Sequence, residues 1–362
     1  MKKSKVTLFV LTILALMLAA CGASATKAPV ATQAAATDAP AVTQAATVTE
    51  SPVAEPQSCP STAMSADSAT ALVIGTGGKG GVFYPLGEGL AKILSANMQG
   101  ITSTFIETGG SVDNMKFVQS GKVQIGFSTV DTAYDAVLGQ AAYAQSGKVP
   151  ACALAVLYTS YMHIIVREAA RIHTVMDMKG RIISVGDSGS STEGAADRIL
   201  QAAGLDPQKD ITRQNLSIAD AATAMTEGKI DGFFWIGGLP TKAISDMLST
   251  GLEVRFVDAS EYIKPLSEKY GPVYRVFTLP KDVYGTDADA PGIGVGNILF
   301  VNANMNEDQA YQILKTIFDH LDEFHALHPQ AKNLILEDAI VGSSIPFHPG
   351  AVRFYKEKGA WK

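Results

Sequence analysis

The sequence predicts an α/β protein of two lobes with a cleft between them. Three observations carry this. From residue 70 onward, short β-branched or apolar runs alternate with helical patterns. The alternation falls into two series, and after the second a further strand and a long amphipathic helix return. Short strands separated by helical patterns imply βαβ units and mainly parallel sheets.

The first series opens with a strand at Leu72–Ile74, running to Gly75, and a helix near Leu86–Asn97. A strand at Thr102–Glu107 and a helix from Val112 to Ser120 follow, then a strand at Gln124–Phe127, a helix at Thr132–Gly139 and the apolar strand Ala153–Tyr158. The second series has strands at Arg181–Val185, Ile211–Gln214 and Gly232–Trp235. Its helices are Thr192–Ala203, Ala219–Glu227 and one near Thr241–Leu248. Gly292–Val301 is the returning strand, and Glu307–Leu327 reads as one long helix with an apolar face at Ile313, Leu314, Ile317, Phe318, Leu321 and Phe324. Lobe I is thus expected from residues 70–165 and 291–362, and lobe II from 166–290. This discontinuous order is what a type II periplasmic-binding-protein fold shows, with the ligand in the cleft outside the C-terminal ends of the strands.

The N-terminal stretch is of another kind. Lys2, Lys3 and Lys5 precede an apolar run from Val6 to Ala20, which describes a secretory signal rather than a spanning helix. Leu18-Ala19-Ala20-Cys21 has the form of a bacterial lipobox, so Cys21 is the expected lipidation site and membrane anchor on the extracytoplasmic face. Residues 21–69 are mostly Ala, Thr, Pro, Gln and Ser and are expected to be a flexible tether. Removing the three lysines of residues 1–20 from 29 basic side chains leaves 26 against 35 acidic ones, a formal −9. That sign, without a Lys/Arg stripe, disfavours nucleic acid as a partner. Cys59 and Cys152 remain; in an exported chain they are candidates for a disulfide, the alternative being a small buried Cys152 in an apolar stretch.

The most informative run is Leu72–Leu94, LVIGTGGKGGVFYPLGEGLAKIL. Five glycines lie between Gly75 and Gly81 at the junction of strand and helix. They let the backbone approach a ligand and leave amides at a helix N-terminus free to hold a negative group. Gly80, Gly81 and Tyr84 are the candidates in this loop.

This run resembles the first motif of the TAXI family, the TRAP-associated extracytoplasmic solute receptors, whose pattern reads G-T-G-G-x-G-G-x-Y-Y-P-x-G. Phe83 stands where the first tyrosine is usual. Gly109–Ala136, Ile172–Leu205, Asp231–Pro240 and His348–Gly359 resemble later blocks of the same family, in order. The resemblance implies a receptor, not an enzyme, that captures a small organic acid such as glutamate or a related dicarboxylate. It further implies delivery to the membrane subunits of a TRAP-type permease, with no cofactor and no metal. A monomer is expected. The rival readings are the receptor of an ABC importer, a ligand-sensing lipoprotein, or an exported hydrolase using Ser188.

Other motifs admit blander explanations. Gly75–Gly80 formally satisfies G-x-G-x-x-G after a strand, with Glu107 ending the next one, but an extracytoplasmic site offers little nicotinamide cofactor. Gly186-Asp187-Ser188-Gly189 echoes a protease nucleophile loop, for which His163 is the one plausible upstream base; its apolar neighbours suggest a core position. Ser190, Ser191 and Thr192 open a helix and are candidates to hold a carboxylate, although Ser190 with Glu193 also fits a capping box. Thr108, Gly109, Ser111, Asn114, Ser128 and Thr129 belong to loops expected at the same edge as the glycine run, where turn and cap chemistry is the plain reading. Trp235, at a strand end in lobe II, is the candidate for packing on the ligand's carbon skeleton. His320, His325 and His328 lie among acids, a pattern that a solvated helix face explains.

Overall fold

The computed structural model describes residues 55–60, 65 and 67–361; residues 1–20, Cys21 and most of the expected tether lie outside the described residues. The first lobe begins with β1 (Ala71–Gly75), α1 (Phe83–Asn97), β2 (Thr102–Ile106), α2 (Ser111–Gln119), β3 (Ile125–Thr129) and α3 (Val130–Leu138). β4 (Ala151–Arg167) leads into the second lobe: β5 (Ile182–Ser184), α4 (Ser191–Ala202), β6 (Thr212–Gln214), α5 (Ile218–Thr226), β7 (Gly232–Gly237) and α6 (Lys242–Leu248). That lobe closes with β8 (Val254–Phe256), α7 (Ile263–Tyr270), β9 (Tyr274–Leu279) and α8 (Lys281–Tyr284). β10 (Ala290–Asn302) returns, and α9 (Glu307–Asp319), α10 (Leu321–His325) and α11 (Pro349–Glu357) complete the first lobe.

The strands form one continuous path, β2-β1-β3-β10-β4-β7-β5-β6, with β8 on β4 and β9 on β10. β1 is parallel to β2 and β3, and β5 is parallel to β6 and β7, as the alternating pattern requires. The two long strands are different. β10 runs antiparallel to β4 from Gly294↔Tyr161 to Asn302↔Ala151, and antiparallel to β3 from Asn297↔Thr129 to Val301↔Ile125. The far end of β4 pairs with β7, Tyr161↔Gly237 to Val166↔Gly232. Both lobes therefore share β4 and β10, which is the architecture of type II periplasmic binding proteins.

Apolar burial explains why these strands are long. Leu154, Leu157, Met162, Ile164 and Val166 of β4 and Ile293, Val295, Ile298 and Val301 of β10 are all in the main core, contributing on the order of 1.5–3 kcal/mol each. The expected strand Ala153–Tyr158 stops too early, because the apolar run continues through Tyr161–Val166 with both faces covered. The strands pass between lobes near Tyr158–Tyr161 and Gly294–Asn297, inside the expected joins at 165–166 and 290–291. The expected single helix Glu307–Leu327 is two, since His320 (φ −117°, ψ 35°) leaves helical geometry between them. Among the described residues, no helix is long and apolar enough to cross a membrane.

The tether ends earlier than its composition suggests. Cys59 is disulfide-bonded to Cys152 at the start of β4, with a Cα–Cα distance of 6.3 Å. Cys59 N donates to Phe347 O and Phe347 N to Gln57 O, both at 2.7 Å. Ser65 N reaches Asn304 O at 2.8 Å, and the Gln309 amide brackets both backbone groups of Ala69. Backbone pairing, a side-chain amide and a covalent link hold Gln57, Cys59, Ser65 and Ala69 to the first lobe.

The disulfide closes a loop of sequence separation 93, so its loss is expected to cost about 2–4 kcal/mol. Urea unfolding with and without dithiothreitol, repeated on Cys59→Ser, measures this. A chain starting at Ala69 should show the same deficit, and equal midpoints in all three would refute it.

Candidate functional site

The loops after β1, β2, β5 and β6, with the ends of β3 and β7, open onto one cavity between the lobes. It is lined by Gly77, Gly78, Gly81, Val82 and Phe83 from the first loop and by Gly109–Ser111 and Thr129 from the next two. The second lobe supplies Asp187, Ser190–Thr192, Ser217, Ile218 and Trp235–Gly237. Tyr158 and Ser160 of β4 and Asn297 of β10 form the floor. The space between the lining atoms, its open mouth included, is about 560 Å³.

Five helix N-termini meet here: α1 at Val82–Phe83, α2 at Gly110–Ser111, α3 at Thr129, α4 at Ser190–Thr192 and α5 at Ser217–Ile218. The first amides of a helix have no partner within it, and each N-terminus carries roughly half a positive charge. In α1, α2 and α3 no N-cap side chain caps a backbone amide; the Thr129 hydroxyl of α3 donates instead to Thr132 Oγ1 at 3.1 Å. Ser190 and Ser217 each cap one amide, Glu193 N at 3.3 Å and Asp220 N at 3.2 Å, leaving the first-turn amides before them. Gly110, with φ 123°, turns the chain into α2 through a conformation closed to other residues. Among the described residues, the lining holds no Lys, Arg or His; its one charged side chain is Asp187. Burial pushes the Asp187 carboxyl up, against the Ser188 amide, and neighbouring Asp113, Asp220 and Glu193 add to the rise.

The structure sorts the residues expected at the site. Gly81, Gly109, Ser111, Thr129, Ser190, Ser191, Thr192 and Trp235 line the cavity. Gly81 lies against the Trp235 ring, where a Cβ would sit 3.2 Å from two ring carbons. Tyr84 does not line it: its ring packs edge-on against Phe105 at 5.4 Å, and Phe83, the preceding residue on the helix, faces the cavity instead, stacked on Phe127. Thr108 and Asn114 brace the loops from behind, since Asn114 Nδ2 donates to Thr76 O (2.6 Å) and Phe127 O (2.9 Å) while its Oδ1 faces the Thr108 hydroxyl. Ser128 turns its hydroxyl to Thr129 O. Gly80 stands outside the lining, closest to Ala243 and Ile218 of the second lobe. The reciprocal capping box is absent, because the Glu193 carboxylate bonds Arg213 and Asn215 rather than the Ser190 amide.

Sequence reasoning missed Asp187, Ser217 and Ile218, and the floor residues Tyr158, Ser160 and Asn297. Ser217, a cap residue directly after a strand, carried a readable signal. The floor residues carried none, because only the pairing of β4 with β10 brings them together.

The lobes touch across the cleft. Val112 N and Asp113 N, in the first turn of α2, both donate to Gly189 O of the second lobe at 3.1 Å. Deeper in, Arg198 of α4 forms an ion pair with Asp135 of α3, and its Nη1 donates to Tyr274 OH (3.0 Å), which donates to Asp131 (2.8 Å). Burial holds the Asp135 carboxyl above its ordinary value, partly offset by Arg198. Gln330 Nε2 of the first lobe donates to Leu239 O of the second.

The other chemical candidates are engaged elsewhere. His163 is fully buried, with Nδ1 on Trp235 O (3.2 Å) and Nε2 on Tyr284 OH (3.1 Å); Ser188 is not among its partners. Glu107 accepts from Lys79 N at 3.1 Å. His320, His325 and His328 face Glu323, Leu334 O and Gln330 N separately.

Residues 74–359 match the NMT1-like family. Among solved structures the chain is similar to the periplasmic aliphatic sulphonate binding protein SsuA from Escherichia coli (18% identity, 80% of this chain and 84% of that one, TM-score 0.39). It is also similar to an ancestral arginine-binding protein bound to arginine (13%, 74% and 100%, 0.42) and to the GluR0 ligand binding core with L-glutamate (10%, 74% and 98%, 0.43).

Burial lowers both His163 and His348 from 6.5 to about 4. The unfolded chain then binds more protons than the native one between these values, so stability falls as pH drops from about 6.5 towards 4, by up to about 3 kcal/mol per histidine. Urea midpoints across this range should decline, and His163→Gln should reduce the slope. Because carboxylates common to both proteins cancel, parallel curves would refute the assignment.

Proposed function

We propose that this chain, which by its match over residues 74–359 belongs to the NMT1-like family, is an extracytoplasmic solute receptor that holds a small organic carboxylate between its lobes. The observation that carries the reading is the convergence of five helix N-termini on a cavity without a cationic side chain. Fixed amides can take an anion without a counter-charge. Phe83, Ile218, Trp235 and Ile236 supply apolar surface for its carbon skeleton. Both lobes contribute, so a solute binding across the cleft favours the closed state and shifts the population towards it.

The resemblance of Gly75–Gly87 and the later blocks to TAXI receptors supports a TRAP-type permease as the partner that takes over the solute. The Leu18–Cys21 lipobox supports an anchor in the outer face of the cell membrane. The role needs no cofactor, metal or nucleophile.

Helix α4 offers a clean test. Ser191 is its first residue, and Ser190 before it has φ −90°, ψ 158°, the conformation a following proline prefers. Ser191→Pro therefore removes one amide donor with the helix intact, and Ser191→Ala removes only the hydroxyl. For the tightest of L-glutamate, 2-oxoglutarate and succinate, Ser191→Pro should weaken binding about ten- to hundredfold, well beyond Ser191→Ala. Trp235→Ala should weaken it comparably through lost apolar contact. Calorimetry reads these values; native affinity in both Ser191→Pro and Trp235→Ala would remove the cleft as the site.

A further inference from the structure

The cavity floor contains a buried acceptor with nothing to accept from. Asn297 sits on β10 where the strand passes between lobes, and it is 0% exposed. Its Nδ2 donates to Tyr158 O (3.1 Å) and Ser160 Oγ (2.8 Å), with Val295 O at 3.4 Å. Two of these partners are carbonyl oxygens, which only accept, so the amide cannot be turned the other way. Oδ1 is therefore the atom left over, buried and without a hydrogen-bond partner. Buried acceptors are rarely left so in a resting structure, and such orphans call for a group that completes them.

The cavity is where that group can come from, since Asn297 lines it. The rest of the lining points the same way: its one charged side chain is Asp187, another acceptor when ionised. A solute made only of acceptors, such as a dicarboxylate, would satisfy the amides of the helix N-termini and leave Asn297 unpaired.

We infer that Asn297 is a specificity-determining residue that accepts a hydrogen bond from an N–H or O–H on the solute. The solute class is then a small acid bearing a donor, an amino or hydroxy acid, in preference to its oxo or unsubstituted counterpart. The inference rests on the cleft being the binding site.

The experiment compares matched pairs, L-glutamate with 2-oxoglutarate and L-alanine with pyruvate, by calorimetry on the full chain. The native protein should bind the donor-bearing member of at least one pair tenfold or more tightly. Asn297→Leu should reduce that ratio to near one, whereas Asn297→Asp, which keeps the acceptor, should retain it. Equal or tighter native binding of the oxo acids overturns the inference without any variant, as does an undiminished ratio in a folded Asn297→Leu. Ser191→Pro keeps the two failures apart. If it weakens both members of a pair alike, the cleft stands, and the donor ratio alone decides the role of Asn297. If neither Ser191→Pro nor Trp235→Ala weakens either member, the cleft and the inference fall together.

Discussion

The antiparallel pair of β4 and β10 is the constraint on which the rest of this molecule depends. Each strand serves both lobes, so the register Gly294↔Tyr161 to Asn302↔Ala151 sets where the lobes meet and what faces the gap. The crossing is tight. A Cβ on Gly292 would lie 2.7–2.9 Å from the Tyr161 ring, and one on Gly294 would lie 2.7 Å from Phe277 Cβ. Such approaches exclude larger side chains, and glycine in a strand marks this kind of close packing. Because the crossing fixes Tyr158, Ser160 and Asn297 side by side, the floor of the cleft is the least adjustable part of the site.

The walls obey a different rule. They are helix N-termini carried on the C-terminal edges of parallel strands, and several of their amides have a choice of partner. Val112 N and Asp113 N give theirs to Gly189 O across the cleft. A solute bound as proposed would compete with this lobe-to-lobe contact for neighbouring donors at the mouth of α2. The buried Arg198–Asp135 pair with Tyr274 and Asp131 adds a second cross-lobe attachment. Separating the lobes would expose charges that closure has already removed from water, and a buried pair returns only part of its desolvation cost. Contact between the lobes is for that reason a balance of modest terms, which the proposed solute would tip.

Much of this was legible in the sequence, and the limits have physical causes. Strand–helix alternation is a local pattern, so the βαβ series and most first-turn residues, Gly109, Ser111 and Ser190–Thr192 among them, were readable. Orientation within a turn was not: Tyr84 and Phe83 are adjacent, and only packing against Phe105 and Phe127 decides which ring faces the cleft. Thr108 and Asn114 have the chemistry of ligand-binding residues but spend it on Thr76 O and Phe127 O, a long-range demand no spacing reveals. The end of the expected tether departs from its composition for a similar reason. Gln57, Cys59 and Ala69 are held through Phe347, Cys152 and Gln309, and composition registers apolar burial rather than backbone pairing.

A cleft that recognises an anion through backbone amides behaves unlike one that uses arginine. A guanidinium on a flexible stem can follow its carboxylate as the lobes part, holding the pair together in the open state. Amides at a helix N-terminus are fixed to their lobe, and the field they produce falls off within about one turn. Here α1, α2 and α3 stand on one lobe and α4 and α5 on the other. Opening the cleft removes part of the positive field at the solute in a single motion, with no side chain left to retain it. On the function proposed above, firm capture when closed and ready release when open would follow from the same geometry.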